Sequence, residues 1–172
     1  MLITIFIIII VLFLLYTFMF NTLTASRQNV SESWSDIDVQ LKRRHDLIPN
    51  LINTVKAYAT HEKSIFEQVT ALRLQAVNSN PNDISKLAIL EKELETTTHQ
   101  LLAVSENYPE LKANESFLKL EDDLRKTEDE IASARRIYNN NVATYNTKIS
   151  TIPINVVAKL NHFEPTSFFQ NQ

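Results

Sequence analysis

Residues 30–76 read VSESWSDIDVQLKRRHDLIPNLINTVKAYATHEKSIFEQVTALRLQA, and this stretch decides the fold. Its apolar and aromatic side chains recur at alternating spacings of three and four, which is typical of a helix that buries one stripe against other helices. Only two charged residues interrupt this seam, which consists of Val30, Trp34, Ile37, Leu41, Arg44, Ile48, Leu51, Val55, Tyr58, Glu62, Ile65, Val69, Leu72 and Ala76. The seam predicts one long helix.

Pro49 lies inside the seam. Proline removes one backbone hydrogen bond and clashes with the preceding turn, so it usually kinks or ends a helix. Because the seam keeps its register on both sides, we expect a bent but continuous helix, with a break into two shorter helices as the alternative. An unbroken helix over residues 30–77 would extend about 70 Å.

Two further helices follow. The segment NSNPND, residues 78–83, predicts a turn with Asp83 as the N-cap of a second helix that ends near NYPE, residues 107–110. A third helix begins near Asn114, and Pro153 opens a short apolar segment. The sequence therefore predicts an all-α antiparallel bundle of three long helices and a short C-terminal helix, or four long helices if the first breaks at Pro49. With three, the last long helix runs away from the membrane and the C-terminal segment lies far from the bilayer.

Residues 2–20 read LITIFIIIIVLFLLYTFMF and carry no charge. As a helix they would cover about 29 Å, close to the hydrocarbon thickness of a bilayer. A cleaved signal peptide would have a basic start and a shorter apolar run, so we expect an uncleaved anchor over residues 1–26, a bundle over 27–152 and an apolar helix and tail over 153–172. Arg27 and the later cations favour a bundle on the cytoplasmic side of the membrane and an external N-terminus.

Composition excludes several classes of function. The chain of 172 residues has no glycine and no cysteine, and its formal net charge is −3. Phosphate-binding loops and nucleophile elbows use glycine, whereas disulfides and thiolate metal sites need cysteine. The net charge gives no basic footprint for nucleic acid. We expect no nucleotide cofactor and no nucleic-acid partner.

Candidate metal and catalytic residues are few. His61 and Glu62 begin a zinc-binding H-E-x-x-H pattern, but Ile65 stands where the second histidine is needed. The acids of residues 121–130 alternate with cations, as on a solvated helix face. We therefore expect no metal and no catalytic activity. An enzyme would require His45, His61, Arg135 and Arg136 to converge in the fold.

Charged residues on helix faces are the remaining candidates. Arg44 and Glu62 occupy seam positions, where a charge is costly unless it is paired, so each should meet an opposite charge from another helix or another subunit. The alternative is that both reach water at the edge of the bundle. Arg135 and Arg136 could clamp a carboxylate or phosphate, or belong to a mixed-charge surface.

Several blocks of the chain resemble one family. These blocks are WSDIDVQLKRRHDLIPNL at residues 34–51, VKAYATHE at 55–62 and SENYPELKANESFLKLEDDLRKTEDEIASARRIYNNNVATYNTKISTIP at 105–153. They resemble the LemA family of bacterial membrane proteins. The resemblance implies a helical bundle on one transmembrane anchor in a bacterial inner or plasma membrane, with the N-terminus outside and the bundle in the cytoplasm. It transfers no catalytic residues, and relatives have been connected with membrane-compartment formation in magnetic bacteria. The end NHFEPTSFF lacks the glycine often found nearby.

Taken together, these features predict a membrane-anchored helical scaffold or interaction protein. It would contact the bilayer through its N-terminal helix, form a homo-oligomer and bind a protein partner whose identity the sequence leaves unknown. Membrane remodelling or organisation of a membrane compartment is the alternative function. An enzyme is the third hypothesis.

Overall fold

The computed structural model describes residues 1–80 and 83–169. Over this range the chain is helical and contains no strand, which confirms the all-α prediction. The helices are α1 (Leu2–Lys56), α2 (Lys63–Val77), α3 (Ile84–Ala103), a 3-10 turn (Val104–Asn107), α4 (Pro109–Lys112), α5 (Glu115–Ser150) and α6 (Ile154–Leu160).

Pro49 does not break α1, because the helix continues for seven residues beyond it. A proline cannot donate to the carbonyl four residues earlier, which here is that of His45. Arg73 of α2 supplies the missing donor, with its Nε 2.6 Å from the His45 carbonyl oxygen. The continuous helix through Pro49 is thus stabilised by a contact from another helix.

The unbroken helix predicted for residues 30–77 is wrong, and so is its length of about 70 Å. The chain turns at residues 57–62, and α2 packs back along α1, as the contact between Arg73 and His45 requires. Seam residues on both sides of this turn enter one core, which contains Val55 of α1 and Val69 of α2. The three-four periodicity continues across the turn because α1 and α2 each turn an apolar face into this common core.

This early reversal sets the direction of every later helix. The chain next runs away from the membrane in α3 and returns in α5, which packs along α1. Asn114, at the start of α5, donates to the Tyr58 hydroxyl at 3.0 Å, whereas Lys148 near its end contacts Ser26. The predicted outward direction of the last long helix is therefore wrong. The predicted N-cap is confirmed, because Asp83 accepts from the Lys86 amide; Asn114, near which the third helix was expected to begin, is the N-cap of α5 and accepts from the Phe117 amide.

Apolar side chains form three clusters along α1. A distal core includes Ile48, Leu51, Leu94, Phe117 and Leu124. A middle core joins α1, α3, α5 and the tail through Val30, Ile37, Leu41, Leu87, Ile131, Tyr138, Val142, Tyr145 and Phe169. A small cluster at the membrane end contains Leu23, Val157 and Ala158. The bundle is thus packed from its distal turn down to the first residues after the apolar run.

The C-terminal segment lies beside the anchor, so its predicted position far from the bilayer is wrong. The buried face of α6 packs on Leu23, and Asn161 hydrogen-bonds to Tyr16 of the apolar run. From there the tail returns along α5 until Phe169 packs against Trp34, with ring centroids 5.6 Å apart. The extra reversal between α1 and α2 is the reason, because it brings the end of α5 back to the membrane side.

Candidate functional site

Arg44 lies between the distal and middle cores and is only 1% exposed. Its position on α1 falls between Leu41 of the middle core and Ile48 of the distal core. The guanidinium Nη1 donates to both carboxylate oxygens of Glu128 on α5, at 2.8 and 3.0 Å. Its Nη2 donates to the carboxylate of Glu91 on α3 and, at 3.3 Å, to the backbone carbonyl of the same residue. One side chain therefore joins three helices.

Glu91 is the centre of this charged cluster, which we define as Arg44, His45, Glu91 and Glu128. One Glu91 oxygen accepts from Arg44, and the other lies 2.9 Å from Nε2 of His45. An ionised carboxylate can only accept hydrogen bonds, so His45 donates through Nε2. Glu91 is 3% exposed, while the side chain of Glu128 is 17% exposed and reaches the edge of the bundle.

The cluster keeps its arginine and central glutamate charged. Burial alone would raise the pKa of Glu91, but the hydrogen bond from His45 and the charge of Arg44 hold that pKa below its usual value. Burial alone would lower the pKa of Arg44, yet Glu91 and Glu128 together raise it. Within the cluster the Arg44 guanidinium faces two carboxylates, those of Glu91 and Glu128.

A cleft of about 530 Å³ lies beside the cluster, between α1, α2 and α3. His45 and Glu91 form part of its wall, together with Asp38, Lys42 and Arg73. Lys42 is paired with Asp38 at 2.5 Å on the outer rim. In the part of the chain that the structure describes, no group of three or more His, Asp or Glu side chains is arranged to hold a metal ion. The chemistry of the site is that of interhelix ion pairs.

The other residues singled out from the sequence lie apart. His61 is exposed in the turn after α1, about three helical turns beyond His45. Glu62 is half-buried, precedes α2 and makes no capping bond there. The guanidinium of Arg135 lies 6.0 Å from the ring centroid of Phe169, near the cluster, whereas Arg136 is exposed. His45 and Arg135 thus approach the same region, and His61 and Arg136 do not.

Glu91, Glu128 and Arg73 did not emerge from sequence reasoning. Glu91 continues the spacing Leu87, Glu91, Leu94, Thr98 and Leu101, all of which are buried on α3. A charged residue in that register is the signal that could have found it, as the same signal identified Arg44 on α1. Arg73 carries no such signal, because its role depends on a carbonyl of another helix.

These observations define the class of protein. The large apolar side chains of the first 18 residues are exposed, and the same helix enters the core of a bundle, so the chain is a membrane-anchored helical-bundle protein. The sequence model of the LemA family matches residues 33–172, and the chain belongs to that family.

Individual relatives are similar over most of this chain. Magnetosome protein MamQ 2 of Paramagnetospirillum magneticum is 26% identical over 89% of the chain and 65% of its own length. Protein LemA of Metamycoplasma hominis is 25% identical over 87% of the chain and 68% of its own length. Magnetosome protein MamQ of Magnetospirillum gryphiswaldense is 24% identical, again over 89% of the chain and 65% of its own length. The chain thus spans about two thirds of the length of these relatives.

Proposed function

We propose that this protein is a membrane-anchored scaffold that self-assembles and acts by binding rather than by catalysis. The observation that carries the proposal is the continuity of α1, which extends from the anchor through the middle core to the distal core. Because α1 forms both the anchor and part of the bundle without a linker between them, the bundle is held rigidly relative to the anchor. This arrangement suits a protein that holds partners at a fixed distance from a membrane.

An exposed apolar pair supports self-assembly. Val39 of α1 and Ile137 of α5 are both exposed and line one groove of about 280 Å³. Exposed apolar side chains that adjoin one another on a helical face are a common feature of protein interfaces. A second copy of the chain could cover this pair by packing its own α1 and α5 against the groove.

Light scattering of the full-length chain in mild detergent tests the self-assembly. We expect a defined multimer for the natural sequence and a lower mass for Ile137→Lys, because a buried lysine would oppose packing between copies. Ile89→Lys is the matched control, since Ile89 is also exposed but lies on α3. A monomeric mass for the natural sequence would overturn self-assembly, and equal losses in both variants would exclude the groove.

The proposed orientation puts the bundle in the cytoplasm of a bacterium, with the N-terminus outside. Arg27 is the first charged side chain of the sequence and follows the apolar run of residues 2–20. Positive charge is retained on the cytoplasmic side of a membrane span. Protease added to sealed inverted vesicles should digest the bundle, and protection of the bundle there would reverse the orientation.

Organisation of a membrane compartment is a second candidate function. It is favoured by similarity to relatives that carry the name magnetosome protein. If the chain shapes bilayers, reconstituted liposomes should form tubules at high protein density, as seen by electron microscopy. Spherical liposomes of unchanged size, containing protein that assembles normally, would support passive scaffolding instead.

A further inference from the structure

We propose that α6 is a second membrane contact, and that an exposed stripe formed by its Val156 and Leu160 with Ile152 of the preceding turn lies in the interfacial layer of the bilayer beside the anchor. This inference rests on the anchoring of the chain and not on self-assembly, so it goes beyond the scaffold proposed above. We assign lipid as the partner that covers this stripe, because α6 lies beside the membrane-spanning part of α1.

The stripe is an unusually exposed apolar face. Val156 and Leu160 are 58% and 68% exposed, and their spacing of four puts them on one side of α6, while Ile152, in the turn just before the helix, is 79% exposed. Val157 and Ala158 lie on a different face of α6 and are buried in one cluster with Leu23. Because the buried side already faces the bundle, the exposed stripe faces away from it. Apolar side chains in this arrangement on a short helix are typical of interfacial membrane contacts.

The depth of α6 is fixed by two contacts with the apolar run. The side-chain amide of Asn161 donates to the Tyr16 hydroxyl at 3.1 Å, and that hydroxyl lies 3.3 Å from the Asn161 carbonyl oxygen. Phe163 packs on Phe20 with ring centroids 5.9 Å apart. Tyr16 lies four residues before the end of the apolar run, which is about 6 Å along a helix. The end of α6 is therefore level with the outermost part of the membrane-spanning segment.

The backbone at the end of α6 suits an apolar environment. His162 adopts φ 54°, and this left-handed residue lets the Phe163 amide donate to the Ala158 carbonyl at 3.0 Å and the His162 amide donate to the Lys159 carbonyl. The Asn161 amide donates to the Val157 carbonyl. These bonds satisfy terminal carbonyls that would otherwise be costly near lipid. Lys159, exposed beside the stripe, can extend its ammonium toward lipid phosphates.

Continuity with the anchor favours lipid over a protein partner. Phe18 is exposed on the same segment of α1 that α6 packs against, so lipid must cover that segment wherever the protein is anchored. Lipid that covers Phe18 is close to the neighbouring face of α6. A protein partner would have to displace this lipid, and a second copy would have to do so for both chains.

Nitroxide labelling tests the proposal in the full-length chain. The sequence has no cysteine, so Val156→Cys gives a single labelled position, and Lys119→Cys, on the exposed distal part of α5, is the control. In liposomes of phosphatidylethanolamine and phosphatidylglycerol, dissolved oxygen concentrates in the bilayer and a charged nickel chelate stays in water. We expect a ratio of oxygen to nickel collision rates several-fold higher at position 156 than at position 119.

Each outcome decides the proposal. Equal ratios at the two positions would overturn it, because the stripe would then face water. Low collision rates with both reagents, together with spin–spin broadening that disappears on dilution with unlabelled chain, would also overturn it, because a second copy would cover the stripe. A high ratio at 156 in a variant with unchanged helical content supports lipid contact, whatever the mass found by light scattering.

Discussion

Removal of Arg44 tests the charged cluster most directly. Arg44→Met keeps most of the side-chain volume but deletes the two bonds to Glu128 and the two to Glu91. Glu91, at 3% exposure, then retains only His45 as a side-chain partner among the described residues. Breaking a buried ion pair by removal of one partner typically costs about 3–5 kcal/mol, because an uncompensated charge stays buried. We expect a loss of unfolding free energy of that size.

Urea unfolding of the full-length chain in mild detergent measures the loss. Trp34 is the single tryptophan and packs on Tyr138 and Phe169, so its fluorescence reports the middle core. Circular dichroism follows the helices in parallel. The matched control is Lys42→Met, two residues away on α1, whose pair with Asp38 is 69% and 46% exposed. Exposed pairs contribute about 0–1 kcal/mol, so the control should change little.

The double variant Arg44→Met with Glu91→Gln separates charge from packing. A neutral glutamine no longer leaves an unpaired buried charge, so the double variant should lose less than the sum of the two single losses. If Arg44→Met alone lowered the unfolding free energy by less than about 1 kcal/mol, the reasoning would be refuted, because a loss of that size is expected for a solvent-exposed ion pair. Additive losses would show that Arg44 and Glu91 do not act on one another.

Two further predictions follow from single groups. The pKa of Glu91 is lower in the folded chain than in the unfolded chain, so the ionised Glu91 stabilises the fold above its unfolded pKa, and this contribution is lost as the pH falls through its folded pKa. Glu91→Gln should therefore reduce the loss of unfolding free energy on acidification. An unchanged pH profile of the unfolding free energy would argue that Glu91 is not the group responsible. His162→Gly should stabilise the chain by up to about 1 kcal/mol, because a left-handed conformation costs residues with a Cβ, whereas His162→Val should destabilise it; urea midpoints that fall for both would contradict the role of the φ angle.

Capping chemistry and periodicity predicted much of the fold. Asp83 was identified as an N-cap because a short polar side chain before an apolar repeat satisfies the first amides of a helix. The seam also indicated that α1 passes Pro49. The turn at residues 57–62 carried no comparable signal, since AYATHE contains neither glycine nor proline and the seam continues across it. A stripe shared by two helices looks the same in sequence as a stripe on one.

The cluster could be predicted only in part. Arg44 was identified because a charge in the seam demands a partner. Its partners on α3 and α5 could not be named, because periodicity identifies the buried face of each helix but not which turns of two faces meet. Glu91 was also hard to identify from the sequence, because the neighbouring leucines of α3 form an apolar stripe that does not require a residue at position 91. Which parts of the helices meet depends on the direction in which each helix runs, and those directions follow from the turn at residues 57–62, which the sequence did not indicate.

The buried charges and the membrane contact are connected through the register of α5 on α1. Leucine and isoleucine side chains in the cores above and below the cluster make non-directional contacts, so they specify the register less strictly than hydrogen bonds do. The two hydrogen bonds from Nη1 of Arg44 to the Glu128 carboxylate do not survive a shift of one helical turn, because it would move the carboxylate by about 5.4 Å. The same shift would carry Lys148 away from Ser26 and move α6 along the anchor by an equal distance. The charged cluster deep in the bundle thus favours the same level of α6 that the contacts of Asn161 and Phe163 with α1 fix directly.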